Sequence, residues 1–81
     1  MIHPSAVISP SAKLLSGTII RENAAISRGV RIGEGVIVNM GVLIDHNCVI
    51  GENSHLPMGS IVRNNIQIPA LSVFKPGEVI Q

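Results

Sequence analysis

Few side chains in this sequence can move protons or act as nucleophiles: His3, His46 and His55, the single cysteine Cys48, and five carboxylates. An imidazole with an unperturbed pKa near ~6.5 can accept a proton from an attacking amine or hydroxyl at neutral pH. A histidine is therefore the natural general base here. The three histidines are separated by 43 and 9 residues. One cysteine excludes an intrachain disulfide and a Cys-rich zinc site. The formal net charge is +1, which predicts no field for nucleic acid or for a cationic partner. Four arginines and two lysines are spread along the chain, so no polybasic patch is expected.

These residues must be positioned by a chain of only 81 residues, which predicts one domain spanning 1–81. Phe74 is the only aromatic residue. A core of Ile, Val, Leu and Ala without aromatic volume suggests a narrow, repetitive interior. The repeat is explicit. Stepping by six from Ile2 gives Ile8, Leu14, Ile20, Ile26, Ile32, Val38, Ile44, Ile50, Leu56, Val62, Ile68, Phe74 and Ile80, with no insertion or deletion.

Four residues after each of these aliphatics stands a mostly small or β-branched residue, from Ala6 through Val36 and Cys48 to Ser72. Three residues after them Gly or Asn is common, as at Gly17, Asn23, Gly41, Asn47 and Gly59. Both tolerate positive φ, so these positions read as corners. A period of six fits a short strand, a corner and another short strand, not a helix or a hairpin array. Three sides close a triangular coil of 18 residues, and coils stack at about 4.8 Å. The expected fold is all-β: a single-stranded parallel β-helix of about four triangular coils, roughly 20 Å tall. Three columns of inward residues follow, headed by Ile2, Ile8 and Leu14.

The register also places the reactive residues. His46 falls two positions after an inward aliphatic and should face outward. Cys48 falls inward between Val30 and Ile66 and reads as core. Asp45 and Arg63 are one coil apart and are expected to form a surface ion pair worth ~0–1 kcal/mol. His55 ends its hexad, where a corner histidine bonded to backbone is one reading. Nine residues is half a coil, so His46 and His55 should lie on different sides of one prism. If both serve one site, that site spans two subunits. A core this small and the open strand edges also favour association. Pro4, Pro10, Pro69 and Pro76 discourage stacking at the ends, leaving side-by-side contact.

The segment from Ile37 to His55 resembles the active-site coil of bacterial sugar acetyltransferases. The match is to the sialic-acid O-acetyltransferases and the N-acetyltransferases of nucleotide-linked amino sugars. Asp45, His46, Cys48, Val49, Ile50, Gly51 and His55 all fit that family's motif. The opening Ile2–Val7 and the ending Ile68–Val73 also resemble hexapeptide acyltransferases. The resemblance implies a left-handed β-helix, a homotrimer of side-by-side prisms, and transfer of an acyl group, acetyl first of all, from acetyl-CoA to an amino or hydroxyl group of a sugar or nucleotide sugar. It implies His46 as general base with Asn47 beside it, His55 and Gly59 at the acyl-CoA, and Asn39 and Asp45 near the sugar.

The sequence departs from that family in three respects. Asn47 is a neutral amide where relatives carry an acid, so it cannot stabilise an imidazolium by charge. No α/β sugar-nucleotide domain precedes Ile2, which implies a separate α/β nucleotide-binding subunit. About one and a half coils follow His55, where relatives continue further. The alternative reading is a non-catalytic trimeric β-helix scaffold or regulatory subunit. The H-x4-H pair of trimeric β-helix carbonic anhydrases is absent, so no metal site is expected. Thr18 is the only threonine, which excludes the Thr rows of an ice-binding β-helix. No long apolar run or signal-like N-terminus is present, so a cytoplasmic protein without membrane contact is expected.

Overall fold

The computed structural model describes residues 1–81. Twelve two-residue strands, each ending on a residue of the six-residue series, wind into a parallel solenoid of about four turns with no helix. Its extents are 25 × 21 × 20 Å, in line with four coils stacked at strand spacing.

The strands form three faces. The first face holds β3 (Ile19–Ile20), β6 (Ile37–Val38) and β9 (His55–Leu56), extended by single bridges Ile2↔Ile20 and His55↔Val73. The second holds β1 (Val7–Ile8), β4 (Ala25–Ile26), β7 (Leu43–Ile44), β10 (Ile61–Val62) and β12 (Val79–Ile80). The third holds β2 (Lys13–Leu14), β5 (Arg31–Ile32), β8 (Val49–Ile50) and β11 (Gln67–Ile68). The chain visits the faces in turn, so each strand pairs with the one a full coil away: Ile20↔Val38↔Leu56, Ile26↔Ile44↔Val62 and Ile32↔Ile50↔Ile68.

Each strand sends its second residue inward. Ile20, Ile32, Val38, Ile50, Leu56 and Val62 are fully or almost fully buried, and the small residues ahead of each strand, among them Ala24, Val30, Val36, Val42 and Cys48, fill the corners of the triangle. Stacked β-branched aliphatics suit this interior because they pack along a pleated surface without the volume of a ring. Phe74 is half-buried and packs against the end of that column.

The corners turn through positive φ at Gly17, Asn23, Gly29, Gly35, Gly41, Asn47, Asn53, Gly59, Asn65 and Gly77, as the sequence predicts. Leu71 also adopts φ 64 while 72% exposed, and nothing in the structure explains a leucine there. A different constraint holds Gly51. Its φ is ordinary, but a Cβ there would lie 2.7 Å from Ile68 O and closer still to the Pro69–Ala70 peptide. Glycine lets these two coils approach.

The outward surfaces differ. The second face presents only apolar side chains: Val7, Ala25, Leu43, Ile61 and Val79. The first presents Ile19, Ile37 and Val73 around His55. The third presents Lys13, Arg31, Val49 and Gln67.

Candidate functional site

The turn between β7 and β8 carries Asp45, His46 and Asn47 at the edge joining the second and third faces. One Asp45 oxygen, Oδ1, accepts two hydrogen bonds. The His46 backbone N–H donates to it at 2.7 Å, and the imidazole Nδ1 lies 2.9 Å away. The first bond closes a local side-chain turn that fixes the carboxylate. The second requires a proton on Nδ1, because a carboxylate can only accept. In a neutral imidazole so held the lone pair falls on Nε2, and the side chain is 29% exposed. Those hydrogen bonds, from the His46 backbone first and its ring second, hold the Asp45 carboxyl below the usual aspartate range.

The Asp45–Arg63 ion pair expected from the sequence does not form: the Asp45 carboxylate pairs with His46 instead. Arg63 only adds a weak favourable field at Asp45. The neighbouring N–H and ring are fixed by the turn itself, whereas the exposed Arg63 side chain would lose rotamer freedom to reach across a coil.

Asn47 has a structural occupation. It takes φ 59, donates its backbone N–H to Arg28 O at 3.0 Å, and places its side-chain oxygen where a Cβ on Gly29 would fall. Cys48 is fully buried; its thiol lies 2.9 Å from Arg63 O, and burial pushes its pKa up.

Asn39, His55 and Gly59 lie elsewhere. Asn39 follows β6 at the end of the first face and turns its Oδ1 onto the Met40 N–H at 2.7 Å. His55 is in β9 on that face, paired with Ile37 and Val73, so it is a strand residue and not a corner. Its Nε2 is buried with no hydrogen-bond partner. An unpaired buried nitrogen of this kind costs about 1–3 kcal/mol. Gly59 turns the next corner at φ 70, between Gly41 and Gly77, where added Cβ atoms would meet nothing closer than 3.9 Å. That leaves an open strip of backbone at this corner. One chain therefore assembles Asp45, His46 and Asn47 at one edge, while His55 stands on the first face and Asn39 and Gly59 lie toward the corner that ends that face.

An apolar groove of about 600 Å³ runs down the second face between these edges, floored by Val7, Ala25, Leu43 and Ile61 and rimmed by Asp45 and Arg63. The cations, dispersed along the sequence, are gathered by the coil. Lys13, Arg28, Arg31 and Arg63 all fall on or beside the edge that carries His46, which corrects the expectation of no basic patch. No three His, Cys, Asp or Glu side chains come close enough to hold a metal ion, and no helix is long and apolar enough to cross a membrane.

Residues 29–64 match the family described as bacterial transferase hexapeptide (six repeats). No curated protein matches the chain. Among solved structures, a histidine-to-asparagine mutant of perosamine N-acetyltransferase from Caulobacter crescentus, in complex with CoA and GDP-perosamine, is similar over 99% of this chain with TM-score 0.73 and 27% identity. The chain spans 47% of that protein's length. Together with the solenoid, these similarities fit the β-helix domain of a hexapeptide-repeat acetyltransferase.

Proposed function

We propose that this β-helix domain serves acyl transfer from acyl-CoA, acetyl-CoA in the first place, to an amino or hydroxyl group on a sugar or nucleotide sugar. The observation that carries the reading is the Asp45–His46 pair: the 2.9 Å contact at Nδ1 commits that nitrogen as donor and leaves Nε2 to take the acceptor's proton. The acceptor nitrogen or oxygen attacks the thioester carbonyl, its proton passes to His46, the C–S bond breaks, and the CoA thiolate leaves and is protonated. The solved relative in complex with CoA and GDP-perosamine supports both ligand classes.

His55 Nε2 and the strip at Gly59 are the proposed contacts for the acyl-CoA end, with Asn39 and Asp45 toward the sugar. Because these groups sit on different sides of one prism, the reading requires a homotrimer in which one subunit's first face meets the next subunit's second face. Two apolar outward faces and one polar face support that arrangement, since each subunit of a closed ring uses two different surfaces. In this reading residues 1–81 act as one domain in the cytoplasm, and a separate α/β nucleotide-binding subunit presents the sugar nucleotide.

A second reading is a non-catalytic trimeric scaffold or regulatory subunit. It is favoured by Asn47, which holds the corner at φ 59 and carries no charge to tune His46. Calorimetry with acetyl-CoA, followed by thiol release with nucleotide-linked amino sugars, separates the two. The enzyme reading expects binding that His55→Ala weakens and turnover that His46→Ala lowers by about 10²–10⁴-fold. Absence of acetyl-CoA binding at millimolar concentration would leave the scaffold.

A further inference from the structure

The third face and its leading edge carry an unneutralised cluster of positive charge. Lys13 and Arg31 are direct register partners in β2 and β5, so two cations stand one above the other at strand spacing, about 4.8 Å. Like charges directly opposite on adjacent strands are destabilising. Arg28 is three residues before Arg31 on the same coil, at the corner directly above His46. All three are exposed. None has a carboxylate within ion-pair distance, because the only ion pairs in the structure are Arg21–Glu22 and Asp45–His46. Glu34 and Glu52 turn at the opposite corner of the third face, and Asp45, at the same edge one coil below, spends its carboxylate on the His46 backbone and ring.

We infer that Lys13, Arg28 and Arg31 form a binding site for a diphosphate ester, placed one coil above the His46 base. Three cations over two adjacent coils match the span of one diphosphate, and arginine's planar fork suits bidentate phosphate contact. The face is also the only one of the three with charged outward side chains, so an anion can reach it without uncovering the apolar surfaces. The cluster itself is independent of the acyl-transfer reading. The choice of a diphosphate ester rests on that reading, because both acyl-CoA and a nucleoside diphosphate sugar carry this group. The shared chemistry is the diphosphate, and the cluster lies one coil from His46.

The experiment titrates the chain by calorimetry with inorganic pyrophosphate, with CoA, and with GDP and UDP, at two salt concentrations. The same titrations are made on the Arg28→Gln/Arg31→Gln double variant and on Lys75→Gln, a cation outside the cluster. The inference expects binding of pyrophosphate and of one organic diphosphate, weakened about tenfold or more in the double variant and by added salt, and unchanged in Lys75→Gln. Which of CoA or the nucleoside diphosphates binds identifies the source of the group. Thermal melts without ligand give a second readout: Lys13→Gln should raise the midpoint by removing the repulsion with Arg31, and added pyrophosphate should raise that of the native chain. Equal binding by native chain and double variant overturns the inference, while acyl transfer stands if acetyl-CoA still binds. If CoA binds and pyrophosphate and the nucleotides do not, and the double variant leaves CoA affinity intact, the cluster is again overturned. If no phosphate compound binds, the inference and the acyl-transfer reading fall together.

Discussion

Replacing Gly51 with alanine tests whether close coil approach or corner conformation makes glycine necessary in this fold. Gly51 turns the chain between β8 and β9, and so between the two proposed functional histidines. Its N–H donates to Ile68 O at 2.7 Å. A Cβ would lie 2.5 Å from the Pro69 carbonyl carbon and nearer still to Ala70 N. Carbon atoms pack comfortably at ~3.5–4.0 Å, so the Ile68–Ala70 backbone must withdraw by about 1 Å. That backbone is held by its own contacts, including Ser54 and Ser72 hydroxyls donating to Pro69 O at 3.0 and 2.6 Å. Overpacking costs about 1–3 kcal/mol and a weakened hydrogen bond about 1 more, offset by ~0.4–1 kcal/mol from a stiffer unfolded chain. The expected loss is about 2 kcal/mol and at most about 3.6.

Gly41 supplies the comparison. Nothing lies within 4 Å of a Cβ there, but φ is 68. Alanine at Gly41 should cost only the left-handed strain, about 1–2 kcal/mol. Asparagine at Gly41 should cost less, because Asn23, Asn47, Asn53 and Asn65 hold the same conformation at φ 57–61. Urea unfolding followed by circular dichroism at one fixed protein concentration gives the ranking. A Gly51→Ala chain as stable as Gly41→Ala would refute the steric account, and with it the claim that these coils are drawn together at Ile68–Ala70.

Three further outcomes follow from the same geometry. Leu71→Gly should stabilise by about 1 kcal/mol by removing left-handed strain at an exposed position, raising the melting midpoint by about 4–8 °C; an unchanged or lower midpoint would mean that Leu71 makes a contact worth more than its strain. The Cys48 thiol should resist a disulfide reagent in the folded protein and react on unfolding, because burial both hides it and raises its pKa; labelling of the native protein at the rate of a free thiol would refute this. Asp45 titrates below the ordinary aspartate range in the folded chain, so its contribution is present above the unfolded pKa and is lost as pH falls through the folded value. A pH titration of the carboxyl carbon shift should therefore give Asp45 a pKa below that of an aspartate in an unfolded peptide, and His46→Gln should move it back up.

The columns were legible in the sequence because parallel pairing in a solenoid has one constant separation, and the aliphatics declare it without a break. The corners were equally legible, since Gly and Asn mark positive φ, until Leu71 occupied that conformation without the residue type that signals it. Side-chain contacts were less legible. The vertical pairing of Asp45 with Arg63 was a sound inference from register, but the adjacent His46 offered a backbone donor and a ring donor already in place. The basic patch was hidden for the opposite reason: Lys13, Arg28 and Arg31 look scattered on a line and become neighbours only when the chain is wound. That His55 would bury a nitrogen without a partner had no signal at all, since its position in the hexad fixes the direction of the side chain and not what covers its tip.

Each strand pairing joins residues one coil apart, and none reaches farther along the chain. Every added turn therefore closes a loop of the same size, at nearly the same entropic cost, whichever turn forms first. No long-range closure has to wait for the whole chain, so assembly can start at any coil and spread both ways, as in other quasi-one-dimensional repeats. Local opening should be graded in the same manner: amide protons between two complete neighbours, around Val38 and Ile50, should exchange most slowly, with protection falling step by step toward coils paired on one side only.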